Sequence, residues 1–211
     1  MTSTLGLKLG RRRFGRRVEG SPLATLWSRS PAKTNPRSVL SLDLETTGLD
    51  GTRDEIVSFG WVAIDQGRIR LATATHLLVA SAAPLKQSAT IHGVRDMDRR
   101  DGVSLADALD RCLEALAGRT LLVHYAGLDV TMLDRACRDY YGAPLLMPVF
   151  DTLDIARRRA RDTEQQLAPD SLRLASLRRS HGLPQVSAHN ALADALATAE
   201  LYLAMVPEAQ D

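Results

Sequence analysis

Asp43 and Glu45 stand two residues apart in the segment SLDLETTGLD, residues 41–50, after an apolar run and before Gly48. In a β-strand, residues two apart point to the same face. The segment therefore aims two carboxylates at one spot, while Leu42 and Leu44 face the other way. Holding two like charges ~4 Å apart costs roughly 4 kcal/mol at an effective dielectric of ~20. Further acids recur at strand ends and helix starts. A short apolar strand pattern ends near His124, and Asp129 falls in the first turn of the helical pattern that follows. Asp194 lies within the last helical pattern, five residues after His189. Five residues turn an ideal helix through about 500°, which leaves the two side chains roughly 140° apart. They share a site only if His189 lies just before the helix or in its frayed first turn, an arrangement that Asn190 as N-cap allows. Taken singly, each group has a plainer reading. Asp43 and Glu45 also suit an edge strand, Asp129 a helix dipole, Asp194 a solvated helix face and His189 a polar position near a helix start. Taken as a set, carboxylates with no soft ligand beside them suit hard, oxygen-preferring cations, Mg²⁺ or Mn²⁺.

The elements that must position these groups follow from periodicity. SVLSLDLETTG predicts a central buried strand ending in a glycine turn. DEIVSFGWVAIDQGRIRLATATHLLVA predicts two antiparallel strands joined near DQGR, with β-branched content to match. SATIHGV reads as a short turn or helix. SLADALDRCLEALAG predicts a helix with Ser104 as N-cap and Gly118 as its stop. RTLLVHY predicts a short strand, and LDVTMLDRACRDYYG a helix ending at Gly142. FDTLDIARRRARD and SLRLASLRRSHG predict two more helices, and HNALADALATAELYLAMV a long C-terminal one. Strands lead and then alternate with helices, which argues for an α/β fold with a central sheet and helices packed on it. Residues 38–207 read as one domain without internal repeats.

Composition bounds the rest. The chain has 211 residues, 45% hydrophobic and 25% charged, ordinary values for a soluble protein. No apolar run approaches the ~18 residues of a membrane span. Cys112 and Cys137 are the only cysteines. They read as free buried thiols, since a zinc site needs roughly four ligands and no Cys/His cluster is present. The net charge of +2 is uneven: residues 1–38 carry nine Lys or Arg against Glu19, a net of +8, which leaves −6 on the remainder. Residues 1–37, rich in Arg, Ser, Pro and Gly, read as a basic, flexible or loosely docked arm able to touch phosphates by counterion release. The arm also resembles a transit peptide in being Arg-rich and acid-poor. The excess of Arg over Lys hints at a GC-rich bacterial source, which favours the cytoplasm over an organelle.

Three motifs, in order, resemble the DEDD superfamily of 3′–5′ exonucleases. The branch is the one with a catalytic histidine, which includes the epsilon proofreading subunit of bacterial DNA polymerase III and ribonuclease T. Asp43, Glu45, Thr46 and Gly48 match Asp-x-Glu-Thr-x-Gly. HYAGLD, His124 to Asp129, matches His-x-Ala-x-Phe-Asp with Leu128 in place of Phe. HNALAD, His189 to Asp194, matches His-x-Ala-x-x-Asp. IHGV (91–94) and DTLDIARR (151–158) are secondary matches. The resemblance runs from about residue 38 to 205, and the three motifs together are highly specific.

The resemblance implies a ribonuclease H-like fold, a mixed central sheet flanked by helices, and two Mg²⁺ or Mn²⁺ ions per active site. Asp43, Glu45 and Asp194 would hold one metal, Asp43 would bridge to the second, and Asp129 would complete the cluster. His189 would be the general base; an unperturbed pKa of ~6.5 suits that task near neutrality. The backbone of Thr46, Thr47 and Gly48 would approach the terminal nucleotide, with Leu49 wedged against its base. His92 would be a second contact, unless it is a plain turn residue. His124 would bind substrate or support the site, whereas Asp151 and Thr152 suit a helix cap. The implied reaction releases nucleoside 5′-monophosphates from single-stranded 3′ ends, DNA first. An RNA-trimming or oligoribonuclease-like enzyme is the alternative, because 2′-OH recognition depends on pocket detail. A catalytically silent nucleic-acid-binding module is a further one, but no metal ligand is lost. A polymerase partner is not favoured, since few residues follow the last helix; oligomeric state is not legible.

Overall fold

Val39, Leu40, Leu42 and Leu44 make Ser38–Thr46 an apolar strand, β1, buried along most of its length. β2 (Ile56–Asp65) pairs with it antiparallel, and β3 (Arg68–Leu78) pairs antiparallel with β2. Gln66 and Gly67 form the β2–β3 turn with φ of 53° and 70°, the two-residue turn whose twist matches the flanking strands. β4 (Thr120–Val123) and β5 (Val149–Asp151) add parallel on the far side of β1. The sheet order is β3-β2-β1-β4-β5. The computed structural model describes residues 4–81, 101–164, 168, 170–186 and 190–207. The predicted turn at SATIHGV, with His92, lies outside the described residues, as does His189.

Helices cover both faces. α1 (Thr4–Phe14) and α2 (Pro22–Arg29) precede the sheet. α3 (Leu105–Leu116) begins on Ser104, whose hydroxyl accepts from Asp107 N at 3.0 Å. α4 (Ala126–Tyr141) closes on Gly142 at φ 64°. α5 (Thr152–Asp162), α6 (Leu174–Ser180) and α7 (Ala191–Met205) follow. α6 is shorter than SLRLASLRRSHG predicts, because Ser171 and Arg173 are taken up in turns. β5 was not predicted: three residues are too short to show alternation, and only its pairing with β4 defines it.

The two faces of β1 divide the core. Leu40, Leu42 and Leu44 join the larger core with Leu109, Leu113, Met132 and Leu133 of α3 and α4. Val39 turns to the opposite face, where Ala199 and Tyr202 of α7 cover it with Val62, Ile64 and Leu122. Cys112 and Cys137 are free and buried as expected; burial raises both thiols, Cys137 to about 12. No helix among the described residues is long and apolar enough to cross a membrane.

The N-terminal segment departs from the flexible arm anticipated from its composition. Ser21 caps α2 by accepting from Ala24 N at 3.2 Å, and Pro22 takes the first helical position, where its missing N–H costs nothing. Leu23, Leu26 and Trp27, spaced along one helical face, are buried in the larger core. Arg11 of α1 donates to the carbonyls of Leu146 at 2.8 Å and Trp27 at 2.9 Å. The apolar stripe of α2 outweighs the surrounding arginines: full burial of each such side chain contributes about 1.5–3 kcal/mol.

Candidate active site

β1 carries Asp43 and Glu45 on the face that Val39 and Ser41 share, under α7. Asn190 caps α7 as predicted: its side chain accepts from Ala193 N at 3.1 Å, and its carbonyl accepts from Asp194 N at 2.9 Å. Asp194 thus sits in the first turn, where the helix dipole favours an anion. Carboxylate oxygens of Asp43, Glu45 and Asp194 all lie within 4.8 Å of one another. An all-oxygen donor set of this kind suits a hard divalent cation. Asp129 is buried beside it at the start of α4. One of its oxygens accepts from Leu44 N at 3.1 Å, so Asp129 is tied to β1 between the two strand acids.

The electrostatics follow from this crowding. Burial first, then Asp129, Asp194 and Glu45, push the Asp43 carboxyl well above the usual range. Burial and Asp194 push Glu45 up to about 7. Burial pushes Asp129 up to about 7 against the opposing effect of its bond from Leu44 N, with Asp151 and Glu45 adding to the rise. The protein without metal thus resists gathering the full charge of these acids. A divalent cation removes that resistance and in return requires the ionised ligands.

The glycine turn after β1 is built on Asp54. Thr47 donates through its hydroxyl to Asp54 Oδ1 at 3.1 Å, and Asp50 N donates to Oδ2 at 2.8 Å. A side chain on Gly48 would place its Cβ 2.4 Å from that carboxylate, so any larger residue would displace Asp54 from the turn. Thr46 Oγ donates to the Gly48 carbonyl at 2.6 Å. Arg135 of α4 donates to the Asp54 carbonyl. This network fixes a turn whose tip is Leu49, 85% exposed. An apolar side chain held in water on a fixed turn is ready for a partner surface.

His124 is half-buried, with Nδ1 2.8 Å from Thr152 Oγ; burial lowers its pKa despite the nearby Asp151. Asp151 takes the cap role read from the sequence and extends it. Its carboxylate accepts from Leu153 N as N-cap of α5, and also from Tyr125 N at 3.0 Å and Ala126 N at 2.9 Å at the start of α4. One side chain thereby fixes two helix starts and steadies Tyr125, held at φ 73°.

Gly60 is the residue that sequence reasoning passed over. It lies opposite Asp43 in the β1–β2 register. A Cβ there would fall 2.1 Å from the Ala191 carbonyl carbon and from Leu192 N. The bare glycine lets the first turn of α7 rest directly on the sheet, which brings Asp194 to Asp43. Glycine inside a strand pattern was the available signal, since it often marks close backbone approach. Gly60→Ala is expected to lift that turn. Overpacking of this kind costs about 1–3 kcal/mol, and a ~1 Å misplacement of a reacting group up to about 10²-fold in rate. Melting temperature and turnover, measured with saturating Mn²⁺, check this; wild-type values for both would show that the contact is dispensable.

A family model described as Exonuclease (RNase_T) matches residues 40–202. The PolC-type DNA polymerase III of Caldanaerobacter subterraneus is 27% identical over 194 residues, which is 92% of this chain and 13% of that protein. The chain thus spans a small part of that relative. The DNA polymerase III epsilon subunit of Aquifex aeolicus is 23% identical over 167 residues, 79% of each chain. Among solved structures, E. coli exonuclease I in complex with a dT13 oligonucleotide superposes with a TM-score of 0.67 at 21% identity. The match covers 79% of this chain and 40% of that one, and it bears out the ribonuclease H-like arrangement of sheet and helices. With the acids of β1, α4 and α7 gathered on that scaffold, the chain belongs to the exonuclease family, as a DEDD-type 3′–5′ exonuclease domain.

Proposed function

We propose that residues 38–207 form a metal-dependent exonuclease of the catalytic-histidine branch, which removes nucleoside 5′-monophosphates from single-stranded DNA 3′ ends in the bacterial cytoplasm. The observation that carries this reading is the convergence of Asp43, Glu45 and Asp194 within 4.8 Å, with Asp129 buried against the same strand. Two Mg²⁺ or Mn²⁺ ions would supply charge stabilisation for an in-line phosphoryl displacement. Asp43, Glu45 and Asp194 would hold the metal, and Asp129, fixed on Leu44 N, would complete the acidic set. His189, one residue before the α7 cap, takes the proton from the attacking water. Thr46, Thr47 and Gly48 present backbone to the terminal nucleotide, Leu49 packs against its base, and His92 and His124 flank it. Binding of single-stranded DNA by exonuclease I, solved with dT13, supports an unpaired substrate.

Matched DNA and RNA 5-mers and 20-mers with Mn²⁺ test this. Stepwise loss of 5′-monophosphates from the 3′ end of DNA, blocked by a 3′-phosphate cap and by EDTA, is the expected result. Internal cleavage, or turnover undiminished by EDTA, would overturn it. Faster loss from RNA would replace the DNA preference with the RNA-trimming reading.

A further inference from the structure

The same turn of α4 that carries Asp129 also borders a second space. A cavity of about 700 Å³ lies between Leu7 of α1, Lys33 and Thr34 ahead of β1, Ala126 and Gly127 of α4, and Phe150 of β5. Leu7, Ala32, Lys33 and Thr34 of the N-terminal segment form one of its walls. The ring of Tyr125, 54% exposed, lies against Gly127. On the far side of Leu7, α1 turns cationic. Lys8 and Arg12 of α1 and Arg16 of the 3-10 turn that follows it (Gly15–Arg17) recur every four residues, with Arg13 beside them, and all four are exposed. None has an acidic partner among the described residues. From Lys8 to Arg12 the α-helical part of the stripe extends roughly 6 Å at helical rise.

Like charges on one stripe repel one another, whereas a polyanion laid along them releases its condensed counterions. The cavity offers apolar walls, the Phe150 ring and Lys33, while its two acids are engaged, Asp151 by the backbone N–H groups of Tyr125, Ala126 and Leu153 and Asp154 by Arg158, a setting that suits an unstacked base and its phosphate. We infer that this cavity and the α1 stripe together form a track for the single strand upstream of the nucleotide being removed. The inference rests on the exonuclease reading and extends it. Short substrates would occupy the acidic site alone. Longer ones would cross the cavity and engage the stripe, so the N-terminal helices act as a length sensor.

The test uses the full chain with 5′-fluorescein-labelled dT20 and dT5. A triple variant, Lys8→Gln with Arg12→Gln and Arg16→Gln, removes charge and keeps helix propensity. Binding is read by anisotropy in EDTA between ~50 and ~200 mM salt, and cleavage separately with Mn²⁺. Each phosphate contact to a single strand contributes about 0.7 to the slope of log K against log salt. The dT20 slope is therefore expected to fall in magnitude by about 2, while dT5 cleavage keeps its wild-type rate. An unchanged dT20 slope, or an equal loss on dT5, overturns the track. Loss of binding to anionic phospholipid vesicles with the dT20 slope intact also overturns it and assigns the stripe to a membrane surface. If the triple variant does not fold, Arg12→Gln alone decides, with an expected change of about 0.7. Failure of the exonuclease reading looks different: wild-type protein would bind both oligonucleotides and shorten neither.

Discussion

Asp43→Asn is expected to abolish cleavage and most of the stabilisation by Mn²⁺, while leaving the metal-free protein at least as stable as the metal-free wild type. The asymmetry comes from the cluster. Burial and three neighbouring acids already hold the Asp43 carboxyl far above its usual range, so its charge is a burden without a cation and a ligand with one. A ligand that binds only the folded state adds about 2.7 kcal/mol at a hundredfold excess over Kd. For a domain of this size each kcal/mol shifts the melting temperature by roughly 2–4 °C, so saturating Mn²⁺ should raise the wild-type value by roughly 5–10 °C. The asparagine keeps the shape of the side chain but loses the charge and one of the two oxygens that could ligate a cation. Melting curves of the two proteins in EDTA and in Mn²⁺ decide the matter. An equal Mn²⁺ shift in both would mean that these acids are not the metal site, and the proposed chemistry would fall with them.

With His189 as the proposed base, His189→Ala should separate proton transfer from metal binding. A positioned general base contributes on the order of 10²–10⁴ in rate, and the substitution leaves Asp43, Glu45, Asp129 and Asp194 in place. Turnover should fall by that factor while the Mn²⁺ shift in melting temperature stays at its wild-type value. Asp194→Ala should lose both. The pH profile is the sharper readout: the limb set by titration of the base should vanish from the residual activity of His189→Ala. Near-full activity of that variant across pH 6 to 9 would remove His189 from the mechanism.

The elements carrying the acids were legible because their signals are local. β1 announces itself by its apolar run, and α7 by Asn190 and an alanine-rich repeat; a cap needs only residues within one turn of it. The β2–β3 hairpin was readable from alternation around DQGR. What stayed hidden depends on partners distant in sequence. Gly60 looks like any strand glycine until α7, about 130 residues later, crosses it. The hold of Asp129 on Leu44 N spans 85 residues and has no pattern in either segment. α2 was masked for another reason: Arg-rich composition averaged away the Leu23, Leu26 and Trp27 face, although Ser21 and Pro22 mark a helix start.

The burial of α2 sets a timetable for synthesis. Its apolar face leaves the ribosome before its cover: Leu109 and Leu113, which help to bury it, lie in α3, translated about 80 residues later. At roughly 5–20 residues per second, Leu23, Leu26 and Trp27 stay uncovered for about 4–16 s on every nascent chain. The cluster of cations immediately upstream travels with them through that interval. Mutual repulsion between the basic segments of neighbouring nascent chains on one polysome would then keep their sticky faces apart until α3 arrives.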